Sequence, residues 1–177
     1  HKDAAYHFDA LLFAKYLKEN YCLPRGVKHI KEHINTVETN EHGIISLNDK
    51  HTADLYLDCT GFKSLLMKEV NSKFIHMNHI LPNDSAWSTK LEYTDKEKQL
   101  EPYTNCTAIE NGWVWNIPQW QKIGTGYVYS SKYIDDDQAL EDFHNYLGKP
   151  KNVNYKKTGM RVGRHKHMWK KNVCSIG

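Results

Sequence analysis

Eleven histidines raise the question of a metal first. His29 and His33 are four apart, His76 and His79 three apart, His165 and His167 two apart. Histidines at i, i+4 on one helix face can share a metal. Val27-Lys28-His29-Ile30 reads as extended, however, which separates His29 from His33, and no His-Glu-x-x-His occurs. Surface or core histidines are the preferred reading, and no metal ligand is expected. Cys22, Cys59, Cys106 and Cys174 form no Cys-x-x-Cys pair, which argues against a zinc ribbon. Buried free thiols are expected instead. Sequons at Asn83 and Asn105 have no secretion signal to support them.

Two further groupings could contact a ligand. In Trp113-Val114-Trp115-Asn116-Ile117-Pro118, strand alternation puts Trp113, Trp115 and Ile117 on one face, with the indoles roughly 7 Å apart along the strand. That face either joins a core or forms a rigid aromatic wall beside a flat ligand. Pro118 lacks an N–H and marks the strand's end or an exposed edge. Asp58-Cys59-Thr60-Gly61 follows an apolar run and precedes a short helix expected around residues 63–70. A strand, a glycine turn and a helix can turn backbone N–H groups toward a phosphate or ribose; a plain turn would look the same. Arg161, Arg164, His165, Lys166, His167, Lys170 and Lys171 form the one basic cluster. It reads as a phosphate patch with Trp169 to stack a base, or as a solvated strand edge. The second is preferred, because apolar strand residues flank the cluster.

The elements that would position these groups can be read along the chain. Phe8, Leu11, Leu12 and Tyr16 have helical spacing, and Pro24 and Gly26 close that helix. Short extended pieces follow at 26–30, 34–38, 44–47 and 53–59, with a hairpin turn at Asn40-Glu41-His42-Gly43. Leu55, Tyr56 and Leu57 suggest a strand covered on both faces. Residues 86–93, 103–109, 112–117 and 123–131 read as an antiparallel sheet with a turn at Asn111-Gly112. Asp135, Asp136 and Asp137 open a helix whose apolar stripe is Ala139, Leu140, Phe143, Tyr146 and Leu147, and Gly148 and Pro150 end it. Residues 158–162 and 172–176 are further strands. An α/β part is thus interrupted by an antiparallel sheet.

Net charge of +3 is too mild to imply nucleic acid by itself, and no apolar run approaches the roughly 20 residues of a membrane-spanning helix. The 177 residues have 40% hydrophobic and 25% charged content, which excludes a disordered chain, a coiled coil and a collagen.

The tryptophan strand resembles the WxWxIP signature of the flavin-dependent, or tryptophan, halogenases. Tyr6-His7-Phe8-Asp9-Ala10, Asp54 through Phe62, Pro102-Tyr103-Thr104, Gly126 through Ser131, Val162-Gly163-Arg164 and Trp169 through Gly177 resemble family segments in the same order. The resemblance spans nearly the whole chain. It implies an α/β (α+β) fold, part of an FAD-binding module of the p-hydroxybenzoate hydroxylase type. Residues 1–85 would belong to that module, 86–131 would form an inserted substrate-side sheet, and 132–177 would return to the module. The family's catalytic lysine and glutamate would lie outside this chain, making it an internal fragment, inactive alone and prone to aggregate.

By resemblance, Cys59, Thr60 and Gly61 lie near the adenosine side of FAD, Ile34 near the adenine, and Gly177 toward the flavin. Trp113, Trp115, Ile117 and Pro118 stand near the flavin and halide route, separating the flavin from the organic substrate. The implied parent enzyme uses reduced FAD from a separate reductase, with O2 and halide as co-substrates, to halogenate an electron-rich arene such as tryptophan or indole. Hypohalous acid carries the oxidising halogen to the lysine. The parent is expected to be cytoplasmic and homodimeric, and not bound to membrane or nucleic acid. A related FAD-dependent aromatic monooxygenase and a non-catalytic nucleic-acid-binding fragment are the competing readings; the tryptophan strand favours the halogenase.

Overall fold

Tyr6–Ile176 are described by the computed structural model; His1–Ala5 and Gly177 lie outside the described residues. Helix α1 is Ala10–Leu17, capped by the Asp9 carboxylate, which accepts from the N–H groups of Leu11 and Leu12. Its path continues through a wide turn at Lys18–Cys22 and a tight one at Leu23–Arg25, and stops where Gly26 takes φ 83°. Strands β1 (Val37–Asn40), β2 (Gly43–Leu47), β3 (Tyr56–Asp58) and β4 (Phe74–His76) follow. Then come β5 (Ser85–Leu91), the single turn α2 (Lys96–Gln99), β6 (Asn105–Ile109), β7 (Gly112–Pro118) and β8 (Ile123–Tyr129). The chain closes with α3 (Asp136–Tyr146), β9 (Lys156–Gly159), β10 (Gly163–His165), β11 (Trp169–Lys170) and β12 (Val173–Ser175).

Two compact units divide these elements: residues 1–29 with 82–160, and 30–81 with 161–177. The first is built on an antiparallel sheet in the order β6-β7-β8-β5-β9. On one face, Val114, Tyr127 and Tyr129 pack with Ala139 and Phe143 of α3. Asp135 caps α3 by accepting from Gln138 N–H, and Trp87 Nε1 donates to the carbonyl of Asp136 at 2.9 Å. The expected sheet and its turn at Asn111-Gly112 are present; of the expected helix stripe, Ala139 and Phe143 are buried and Leu147 packs against them, while Tyr146 is exposed.

The second unit holds three small sheets: β1-β2, β4-β10 and β11-β12-β3. Strands β12 and β3 run parallel, with Cys174 opposite Leu57 and Ser175 opposite Asp58. Ile44, Tyr56, Leu66, Met67, Val70 and Val173 form its core. Asn172 joins two strands through its side chain: Oδ1 accepts from Ile44 N–H and Nδ2 donates to the Ile44 carbonyl.

Four local expectations are corrected. No α-helix forms at residues 63–70; a tight turn at Gly61–Lys63 leads into further turns, because the Asp58 carboxylate takes the N–H groups of Leu66 and Met67 that a helix would carry forward. The strand expected to start at Ile34 starts at Val37. Asn48 Oδ1 instead accepts from the N–H groups of Asn35 and Thr36, holding that stretch as a loop. Only Tyr56 of the Leu55–Leu57 run is buried, so β3 is covered on one face among the described residues. The cysteines are free but not buried: Cys59 and Cys106 are exposed, Cys22 and Cys174 half-buried.

Candidate functional site

The parallel pair β3–β12 ends at one edge of the second unit. Open α/β sheets commonly present ligand-binding turns at the carboxyl ends of parallel strands. Here those ends are Asp58-Cys59-Thr60-Gly61 and Ser175-Ile176, and Ile176 N–H donates to the Asp58 carbonyl at 2.9 Å. Two of the segments singled out in the sequence are therefore side by side, although Gly177 itself lies outside the described residues.

Asp58 is 2% exposed, and its carboxylate accepts four hydrogen bonds from its own turn. Thr60 N–H and Thr60 Oγ1 donate to Oδ1 at 3.0 and 2.6 Å. Leu66 and Met67 N–H donate to Oδ2 at 2.9 and 2.8 Å. Burial alone would raise the pKa of Asp58; the bonds from Thr60, Met67 and Leu66 outweigh it and hold the carboxyl below its ordinary value. Thr60 Oγ1 also accepts from Leu65 N–H at 2.7 Å. Gly61 takes φ 60° and a Cβ there would meet open space, so the requirement for glycine is conformational.

The consequence is a turn with its negative charge turned inward, while Cys59, Thr60 and Gly61 lie at the surface. Such a turn can approach a phosphate or ribose without a carboxylate opposing it. An FAD adenosine fits that chemistry. Ile34 is half-buried on the loop before β1, and no hydrogen bond among the described residues joins it to Cys59, Thr60 or Gly61.

In the first unit, strand β7 places Val114 in the core, so Trp113, Trp115 and Ile117 face away from α3. The ring centroids of Trp113 and Trp115 are 6.0 Å apart, tilted by 56°. The tryptophan face is thus not the helix-covered core, and Trp113 remains 39% exposed. Glycine supplies the floor beneath Trp115 alone of the two indoles: Trp115 pairs with Gly126, Ile117 with Gly124 and Trp113 with Val128 on β8. A Cβ at Gly126 would fall 2.1 Å from the Trp115 ring. The glycines at 124 and 126 repeat the two-residue period of Trp-x-Trp-x-Ile, a signal legible in the sequence.

Pro118 is buried and ends β7, opposite Ile123 of β8 and beyond the pairing with β6, which stops at Asn116, so it marks the strand's end. Its carbonyl accepts from His7 Nδ1 at 2.8 Å, which leaves His7 Nε2 to accept from Thr104 Oγ1 at 3.3 Å. Gln119 Nε2 donates to the Phe8 carbonyl at 3.0 Å. Residues 6–10, 102–104 and 113–118, far apart in sequence, converge there.

The basic cluster divides. His165 is buried, with Nε2 3.0 Å from Ser64 Oγ, and Arg161 Nη2 donates to Ser64 Oγ at 2.5 Å. Lys170 and Lys171 donate to main-chain carbonyls, and Trp169 lies exposed on the edge strand β11. The solvated-edge reading therefore holds for β11 but not for Arg161 and His165. No group of three or more His, Cys, Asp or Glu able to hold a metal occurs among the described residues, and none of their helices is long and apolar enough to cross a membrane.

A mixed α/β scaffold with a parallel strand pair and an antiparallel sheet bearing paired tryptophans is the fold of the flavin-dependent halogenases this chain superposes on. The tryptophan halogenase family model matches residues 2–177, and the chain belongs to that family. Tryptophan 6-halogenase SttH of Streptomyces toxytricini is 36% identical over 98% of the chain and 34% of its own length. Tryptophan 7-halogenase RebH of Lentzea aerocolonigenes shows the same identity and coverage. Among solved structures, the VirX1 apo structure superposes with a TM-score of 0.90 at 40% identity, over 96% of this chain and 34% of that one. Tar14, a tryptophan C-6 flavin-dependent halogenase from taromycin biosynthesis, gives 0.89 at 37%, over 97% and 35%. The chain spans about a third of the length of these relatives.

Proposed function

We propose that the protein containing this chain is an FADH2-dependent halogenase that uses O2 and halide to halogenate an electron-rich aromatic such as tryptophan or indole. The observation that carries this reading is the tryptophan pair, with Trp115 packed over Gly126, on the sheet face away from the core, in a chain that belongs to the tryptophan halogenase family. Bound FAD would supply the oxygen-activating chemistry, reduced beforehand by a separate reductase. Within this chain, Cys59, Thr60 and Gly61 would meet the adenosine side, Ile34 the adenine and Gly177 the segment leading to the flavin. Asp58 would keep the turn's shape by binding its own N–H groups. Trp113, Trp115, Ile117 and Pro118 would form a rigid wall that keeps substrate and flavin apart. A division into flavin module (1–85 and 132–177) and substrate-side sheet (86–131) belongs to the same reading, as do a cytoplasmic location and a homodimeric parent.

The test uses the complete protein with FAD, a flavin reductase, NADH and tryptophan or indole, with chloride, with bromide, and without halide. The expected product carries the mass of one halogen in place of hydrogen and is absent without halide. A hydroxylated product independent of halide would instead establish an aromatic monooxygenase.

A further inference from the structure

The second unit contains a cavity of about 400 Å³ that shares Gly61 with the Cys59-Thr60-Gly61 turn and is otherwise lined by residues to which the halogenase reading gives no role. Small-molecule sites span roughly 300–1,000 Å³. Its lining includes Phe62, Phe74, Arg161, Arg164, His165 and Met168, and no carboxylate. Two fixed positive charges without a counter-charge in the wall favour an anion.

Arg161 is held in place. Its guanidinium lies 4.0 Å from the centroid of the Phe74 ring, and Nη2 donates to Ser64 Oγ at 2.5 Å. Ser64 Oγ in turn reaches His165 Nε2 at 3.0 Å, and His165 Nδ1 donates to the Ser72 carbonyl at 3.2 Å. That last bond puts a proton on Nδ1 and fixes the orientation of the ring. The chain of bonds orients one edge of the guanidinium, while Nε is buried with no partner among the described residues. A buried donor left unpaired is costly and calls for a missing acceptor. Ser64 also adopts φ 43°, a left-handed conformation that a serine takes at a cost. Strain, an unpaired cationic donor and a cavity coincide.

Apolar surface decides what kind of anion. Phe62 is 52% exposed and Met168 44%, both at the cavity. A bare inorganic ion would leave them open to water. We propose that this cavity binds a nucleoside phosphate, with the base against Phe62 and Met168 and the phosphate on Arg161 and Arg164. Because Gly61 borders both this cavity and the turn proposed for FAD, the titration is made on FAD-saturated protein, where the two sites are distinguished.

The complete protein, first saturated with FAD, is titrated with ADP, adenosine and inorganic phosphate by calorimetry, and flavin release is followed by fluorescence. ADP is expected to bind without releasing FAD, and adenosine and phosphate each about tenfold or more weaker. Arg164 is exposed, so Arg164→Gln should leave the melting temperature unchanged and weaken ADP about tenfold while sparing adenosine. Phe62→Ala should weaken ADP and adenosine alike. Absence of ADP binding, equal affinity for phosphate and ADP, FAD release by ADP, or an unaltered ADP affinity in Arg164→Gln would each overturn the proposal. If the protein binds no FAD at all, that reading fails separately, and the same titrations on the flavin-free protein still decide this one.

Discussion

Asp58 and Gly126 show how single residues set the two sites. Asp58 is a buried carboxylate whose four bonds all stay within its own turn, so its contribution is to shape and charge concealment. Replacing it by Asn puts an NH2 against N–H donors, and Asp58→Asn should cost about 2–4 kcal/mol in chemical denaturation of the complete protein. The pH dependence has a definite sign. The folded pKa is lowered, so the stabilisation is fully present above the unfolded value of about 3.9 and is lost as pH falls through the folded value. The acid limb of the stability curve should therefore be flatter in Asp58→Asn than in the wild type. An unchanged limb would show that Asp58 has no lowered pKa. Gly126→Ala places a methyl inside the Trp115 ring, so the indole must move. The expected result is a loss of about 1–3 kcal/mol and a changed Trp fluorescence spectrum, whereas Gly124→Ala, with its nearest neighbour 3.8 Å away, should be far milder.

At the scale of elements, α3 and the central strands were readable from periodicity. The aspartate run, the Ala139–Phe143 spacing and Gly148 specify a helix locally, and each acts within one or two turns. Asp135→Ala removes the cap on Gln138 N–H and should destabilise by about 1 kcal/mol. Phe143→Ala empties a fully buried position against Tyr127 and Tyr155 and should cost about 3–5 kcal/mol. Thermal or urea denaturation of the complete protein checks both. What failed at this scale were the 63–70 helix and the Ile34 strand start. Both were lost to side chains elsewhere in the chain: Asp58 takes N–H groups in one, Asn48 in the other. Propensity within a window cannot see an acceptor arriving from outside it.

For the whole molecule, two cores stabilise two units, and much apolar surface is left over. Helix α1 has no buried residue; Leu11 is 76% exposed and Leu12 and Tyr16 are each 59% exposed. Its amphipathic pattern was legible, but nothing among the described residues covers that stripe. Expressed as residues 1–177 alone, the chain should self-associate at micromolar concentration, measurable by light scattering. Leu11→Lys with Leu12→Glu should reduce the association, and a monodisperse wild-type sample would refute it.

The sequence by itself determined the strands and helices whose signals are local, the turn at Asp58–Gly61, and the ordered set of segments that identified the family. It also determined that Trp113, Trp115 and Ile117 share a face, because a strand has a fixed period of two. Only the tertiary structure decided which face of the sheet is core. Alternation supplies two faces, and the choice was made by α3, which follows β8 in the chain and covers Val114 and Tyr127. Tertiary contact likewise turned part of an apparent solvated strand edge inward, since Ser64 and Phe74 lie roughly ninety residues from Arg161 in the chain yet hold it in place.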